Sequence, residues 1–210
     1  GGRGERFWPV SRFSRPKQFV SLFGGKPLLA AAVERLRGLV PPENVLVVTS
    51  ADLVALSREA LPEVPPENVL GEPFGRDTAA AVALGAALVA ARDPGAAFCV
   101  LTADHVIKDA ARFRRTLGDA FRMAMTSDCL VTIGIKPAFP STGYGYVECA
   151  EAIPFEGETR FFKALRFVEK PDAETARQYA ASGRYSWNSG MFIWSLAALG
   201  RAFGRHSPAL

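Results

Sequence analysis

Cysteine is scarce in this chain of 210 residues, and Cys99, Cys129 and Cys149 stand far apart, with no Cys-x-x-Cys pair and no histidine at ligand spacing. A zinc site is therefore not expected, and an odd number of scattered thiols suits a reducing cytoplasm better than a disulfide scaffold. Only two histidines are present, and no Ser-His-Asp or Cys-His constellation accompanies them. No apolar run reaches 18 residues, which excludes a membrane-spanning helix. There is no Gly-Lys-Ser/Thr at Walker A spacing and no Rossmann dinucleotide pattern. The net charge of +4 has the right sign for a polyphosphate, yet is too small to argue for nucleic acid. The basic residues cluster at one loop without aromatic interleaving, so no nucleic-acid partner is expected.

What is present is a globular balance, 49 % hydrophobic and 22 % charged, which predicts a packed core. Residues 26–39 put Leu28, Leu29, Ala32, Val33, Leu36 and Leu39 on one helical stripe, ended by Pro41-Pro42. Residues 44–50 read as a short buried strand, 52–61 as a helix and 68–70 as another strand. After the loop GEPFGRD, an Ala-rich helix spans 77–92, with Asp77 or Thr78 as its N-cap. Residues 96–103 are expected to form the most buried strand, ending at Asp104. A helix over 109–126 and a strand over 129–135 follow. This alternation predicts an α/β fold, Rossmann-like, with a mixed, mainly parallel sheet and helices on both faces. Beyond Pro140, strands near 145–149 and 161–169, a helix over 172–182 and a strand through GMFIW extend the sheet and cover its edge. Without repeats or a linker, residues 1–210 read as one domain. The chain opens on a glycine loop with no strand before it and stops as a last helix begins, so it is expected to be part of a longer chain. The oligomeric state is left open.

Ligands of open α/β sheets bind outside the carboxyl ends of the strands, which directs attention to the loops 1–17, 71–78, 103–108, 139–146 and 169–171. In GGRGERFWPVSRFSRPKQF, Gly1, Gly2 and Gly4 let backbone N–H groups approach an anion. Arg6, Arg12, Arg15 and Lys17 can neutralise a triphosphate; the bland reading is a solvated Gly/Arg loop. Asp104, at the end of a buried strand, is placed to hold a divalent cation against phosphate oxygens, or simply caps the next turn. Glu72 offers acceptors for the N1–H and amino group of guanine, or is a surface carboxylate. The segments STGYGYVE, RFVEKPD and WNSGMF each read alone as a turn or an exposed strand end.

Taken in order across residues 1–194, these segments resemble the sugar-phosphate nucleotidylyltransferases. The opening loop is similar to that family's Gly-Gly-x-Gly-x-Arg…Pro-Lys signature. Trp8-Pro9, the Pro16–Phe19 run and Ala103-Asp104-His105 look most like the mannose-1-phosphate guanylyltransferase branch. The resemblance implies a nucleotide-diphospho-sugar transferase fold and GTP and mannose 1-phosphate as substrates, with Mg2+ on Asp104. It implies that Arg6 and Lys17 act on the triphosphate and its leaving pyrophosphate. Gly1, Gly2, Gly4, Glu72, Asp77 and Thr78 would border the nucleotide. Gly145, Glu169 and Asn188 would bind mannose hydroxyls, and Lys170 the sugar phosphate. Thr102 stands where the family has Pro, and Asp77 where it has Asn; an ionised Asp cannot donate a hydrogen bond. A second metal-binding Asp is expected beyond Leu210. Because the nucleophile is already an anion, His105 is read as a packing or hydrogen-bonding residue rather than a base. The competing readings are uridylyl or thymidylyl transfer to glucose 1-phosphate, and a non-catalytic nucleotide-binding relative.

Overall fold

The short β-branched run at Val47–Ser50 forms β1 and pairs in parallel with β2, Val69–Glu72, in the register Val47↔Val69 through Ser50↔Glu72. The computed structural model that shows this describes Ser11 and residues 16–21, 25–74 and 77–208, with the side chain of Asp77 outside that description. Between the two strands run a 3-10 turn, Ala51–Leu53, and helix α2, Val54–Ala60. Gly71 lets this crossover lie directly on β2. A Cβ there would stand 2.8 Å from Val54 Cγ2 and 2.9 Å from Ala51 Cα, so no side chain fits.

The second sheet contains β3 (Ala97–Val100), β4 (Val131–Ile135), β5 (Gly145–Ile153), β6 (Phe161–Glu169) and β7 (Tyr185–Ser195). Its organiser is β7. Trp187 pairs with both Ile135 of β4 and Tyr146 of β5, and Phe192 with both Thr132 of β4 and Val100 of β3. A strand has two edges, so β4 fills one, while β3 and β5 share the other. The contact with β3 ends at Val100↔Phe192 and that with β5 begins at Tyr146↔Trp187. Asn188–Met191 therefore face a gap on that edge, and the chain leaving β3 peels away beside it.

The α/β class and the helices on both faces agree with the expectation; the dominance of parallel pairing does not. Among the described residues β1–β2 is the parallel pair, whereas β3–β7, β4–β7, β5–β7 and β5–β6 are antiparallel. Strands β3 and β4 do run the same way, because each is antiparallel to β7, but the later strand inserts between them. Alternation of elements along a sequence carries no sign of such an insertion.

Side-chain alternation along β7 divides the core between two faces. Met191 and Ile193 enter the larger cluster with Phe113, Leu117, Ala120, Met123 and Ala124 of helix α4, Ala110–Thr126. The same cluster takes Leu29 and Val33 of helix α1, Leu28–Glu34, as well as Val45, Leu53 and Val69, so one core underlies both sheets. Phe192 and Trp194 pack on the opposite face with Val82 of α3, Asp77–Arg92, and with Leu199 and Phe203 of α6, Leu196–His206. Helix α5, Ala173–Ser182, is capped by Asp172 and buries Ala176 against Tyr146, Tyr185 and Trp187.

Several elements are shorter than the sequence predicts: β1 begins only at Val47 and β4 at Val131, and α1 and β3 stop early. Helix α1 stops at Glu34, and residues 35–39 continue in turns with bonds such as Leu36 N–H to Val33 O and Leu39 N–H to Leu36 O. These turns keep Leu36 buried while Gly38 takes φ +83°. Strand β3 ends at Val100, short of Asp104, and is half-buried rather than the most buried strand. Its pairing among the described residues is with β7 alone, which leaves its other edge without a described partner.

Leu117 is fully buried at the centre of α4. Leu117→Ala should lower unfolding free energy by about 2–5 kcal/mol, the usual cost of a cavity that cannot collapse. Urea denaturation followed by far-UV circular dichroism checks this; a loss well under about 1 kcal/mol would show that α4 is not the core helix.

Candidate functional site

Lys17 opens a 3-10 turn, Lys17–Phe19, that Phe19 anchors by entering the larger core cluster. From there the Lys17 ammonium donates to Oδ2 of Asp104, 87 residues away in the chain. Asp104 sits on the loop that leaves β3, and that loop is held from behind. Thr102 Oγ1 lies 3.2 Å from His105 Nδ1, and Arg35 Nη2 donates to the His105 carbonyl at 2.8 Å. Arg35 in turn fastens to the end of α1 through Nε to Ala31 O at 3.1 Å.

Burial pushes the Asp104 carboxyl up, but the hydrogen bond from Lys17 and its positive charge, aided by His105 and Thr102, hold it below the ordinary carboxylate value. The site carboxylate is therefore ionised at neutral pH. Burial pushes the His105 imidazole down; Asp104 opposes this, while Arg35 and Lys17 add to it. A neutral ring bonded to Thr102 agrees with a packing and hydrogen-bonding residue.

A second cluster forms where β5 begins, β6 ends and β7 passes the gap. A Cβ on Gly145 would stand 2.5 Å from Glu169 Oε2 and 3.6 Å from Asn188 Cβ. Only glycine lets the Glu169 carboxylate lie across the β5 backbone, so Gly145, Glu169 and Asn188 form one constellation. Asn188 Oδ1 accepts from Gly190 N–H at 3.0 Å and lies 3.3 Å from the Thr132 hydroxyl. That fixes the amide and leaves Nδ2 as a donor without a described partner. Lys170 follows directly: its N–H bonds Tyr144 O at 3.2 Å, its backbone takes φ 44°, and its ammonium stands 3.5 Å from Glu169 Oε1. A left-handed backbone is unfavourable for a side chain with a Cβ, and it marks this corner as constrained. The two clusters border the same gap, since a Cβ at Gly190 would lie 3.4 Å from Thr102 Cγ2.

Of the remaining candidates, Glu72 ends β2 and Thr78 lies in the first turn of α3, which begins at Asp77. No hydrogen bond or ion pair among the described residues ties Glu72 or Thr78 to either cluster. Gly1, Gly2, Gly4 and Arg6 lie outside the described residues. The sequence reading missed Arg35, Thr132 and Gly190, which orient other groups. Of these Gly190, in the Asn-Ser-Gly turn, carried a signal for its positive φ.

The family model for nucleotidyl transferases matches residues 1–207. The chain belongs to the nucleotidyl transferase family. Among its relatives, a mannose-1-phosphate guanylyltransferase of Escherichia coli (strain K12) is 43 % identical over 201 residues, covering 92 % of this chain and 41 % of the relative. The mannose-1-phosphate guanylyltransferase ManC of Salmonella typhimurium is 43 % identical over 202 residues, with the same coverage. The solved structure of a mannose-1-phosphate geranyltransferase from Thermus thermophilus superposes with a TM-score of 0.88 at 41 % identity, covering 99 % of this chain and 59 % of that one. This nucleotidyl transferase chain thus spans about two fifths of the length of the two named guanylyltransferases.

The Lys17–Asp104 pair makes a titration prediction. A carboxyl held below its ordinary value contributes stability at pH above the unfolded-state value and loses it as pH falls through the folded-state value. In Lys17→Ala the upward push of burial loses its main opponent, so the Asp104 titration should move to higher pH. Carbon-13 NMR of the side-chain carboxyl checks this, and an unmoved midpoint would mean that Lys17 does not act on Asp104.

Proposed function

We propose that this chain carries the centre for Mg2+-dependent guanylyl transfer from GTP to mannose 1-phosphate, giving GDP-mannose and pyrophosphate. The observation that carries the reading is the meeting of Lys17 and Asp104 beside the Gly145–Glu169–Asn188 constellation, on a chain whose relatives are named for this reaction. A phosphate oxygen of mannose 1-phosphate attacks the α-phosphorus of GTP, and the bond to the oxygen bridging the α- and β-phosphates breaks. The nucleophile is an anion already, so no base is required. Aligning two polyanions and neutralising the charge that builds on the pyrophosphate is the whole requirement.

In this reading Lys17, together with Arg6, takes the charge of the leaving pyrophosphate. Asp104 fits a magnesium ion of the substrate-bound kind, in which one or two carboxylates join phosphate oxygens and water. The ion supplies Lewis-acid neutralisation of the phosphate oxygens. Lys17 holds one oxygen of that carboxylate, so taking the charge of a triphosphate would require it to release Asp104. For the sugar, Glu169 and the Asn188 amide present an acceptor and a donor to the mannose hydroxyls, with Lys170 toward its phosphate. Glu72 accepts from guanine, and the Gly1, Gly2, Gly4, Asp77 and Thr78 positions border the nucleotide. A reducing cytoplasm suits the three free thiols.

Pyrophosphate release should be greatest with GTP and mannose 1-phosphate in Mg2+ when each nucleoside triphosphate is paired with each sugar 1-phosphate. Preference for UTP or dTTP with glucose 1-phosphate would move the chain to the other branch, and no release with any pair would make it a binding relative. Asp104→Asn should lose about 3 kcal/mol or more of transition-state stabilisation; kcat/KM within a factor of a few of wild type would contradict its role. Gly145→Ala should displace the Glu169 carboxylate and raise the KM for the sugar phosphate. The loss of one charged hydrogen bond, about 1.5–3 kcal/mol, sets its scale, with the KM for GTP little changed. Equal sugar-phosphate KM in wild type and variant would remove Glu169 from the sugar site.

A further inference from the structure

On the α1 side of the 104–107 loop lies an open groove of about 420 Å3, and none of Lys17, Asp104, Gly145, Glu169 or Asn188 lines it. Among the described residues its charged walls are Lys26, Arg35 and Arg114 against the carboxylate of Glu34, three cations to one anion, a balance of +2. Glu34 is already engaged, at 2.7 Å from Lys26 and 3.8 Å from Arg37.

Arg35 is the unusual member. It is 8 % exposed, it hydrogen-bonds two backbone carbonyls, Ala31 O and His105 O, and its guanidinium lies over the Phe113 ring at 5.9 Å from the centroid. No carboxylate among the described residues lies within ion-pair distance of it, and burial pushes its guanidinium below the ordinary value. Buried cations are costly unless an anion accompanies them. Arg114 stands beside it, donating from Nη1 to Arg35 O at 3.3 Å. Leu28, Val106 and Ile107 give the groove an apolar side, with Val106 half exposed.

We propose that this groove is a second anion site, one that binds a small phosphomonoester with its phosphate on Arg35 and Arg114 and its body against Leu28 and Val106. A phosphomonoester carries about −1.5 to −2 at neutral pH, which matches the local excess, and paired guanidinium forks suit its oxygens. The volume of about 420 Å3 lies low in the range of roughly 300–1,000 Å3 for small-molecule pockets, room for one phosphate on a single sugar ring. The site also has a route to the reaction. The guanidinium that receives the phosphate is the one that holds the His105 carbonyl, next to Asp104, so a ligand that draws on Arg35 acts on the loop presenting the carboxylate.

Titration of the nitrogen-15-labelled protein with glucose 6-phosphate, followed through backbone amide shifts, tests this. Saturable shifts are expected at Val106, Ile107 and Ala110, at least tenfold weaker in Arg114→Gln and unchanged in Lys17→Ala. Arg114→Lys, which keeps the charge and loses the fork, should weaken binding less, and its spectrum separates a lost contact from a lost fold. Inorganic phosphate should shift the same amides with lower affinity. The proposal is overturned if no saturable shift occurs, if both Arg114 variants bind as tightly as wild type, or if Lys17→Ala abolishes the response.

Discussion

An ammonium and a carboxylate from distant parts of the chain, Lys17 and Asp104, meet in one ion pair, and the geometry of the site follows from what makes that meeting possible. Phe19 must seat in the core to hold the turn that carries Lys17. The loop after β3 must leave the sheet at the gap that β7 keeps open between its contacts with β3 and β5. Arg35 and Thr102 must then hold His105, so that Asp104 is presented rather than folded back. Each requirement is a packing or hydrogen-bonding constraint, and together they convert an exposed loop carboxylate into a half-buried, ionised one.

The same gap explains why the second cluster is where it is. Strand β7 supplies Asn188 as it passes, β5 begins there with Gly145, and β6 ends there with Glu169. No side chain at position 145 fits beside that carboxylate, and the positive φ of Lys170 turns the chain away immediately afterwards. The Lys17–Asp104 pair and the Gly145–Glu169–Asn188 set thus border one opening. That juxtaposition suits a reaction joining a nucleotide to a sugar phosphate.

Much of this was legible in the sequence, because local periodicity reports local structure. The helices over 109–126 and 172–182 and the strand through GMFIW all have short-range causes. The motif order, from the glycine loop to Trp187-Asn188-Ser189-Gly190, pointed to Lys17, Asp104, Gly145, Glu169 and Asn188, and the fold brings these into two adjoining clusters. The strand pairing was not legible. The insertion of β7 between β3 and β4 is decided by which edges remain to be covered, a property of the assembled sheet. Arg35 was missed for a related reason: its role lies in a bond to a carbonyl 70 positions away, which no spacing reveals. Glu72 and Thr78 are placed at a strand end and a helix start, without a described bond that joins them to the clusters.

The central claim is that Lys17 and Asp104 act as one unit on a shared polyphosphate. A double-mutant cycle on kcat/KM, using Lys17→Ala, Asp104→Asn and the combined variant in the pyrophosphate-release reaction, measures this directly. The account predicts strong non-additivity, with an interaction free energy of about 1–3 kcal/mol, the double variant being little worse than the poorer single one. Additive losses would show that the two side chains serve separate steps, and would contradict it.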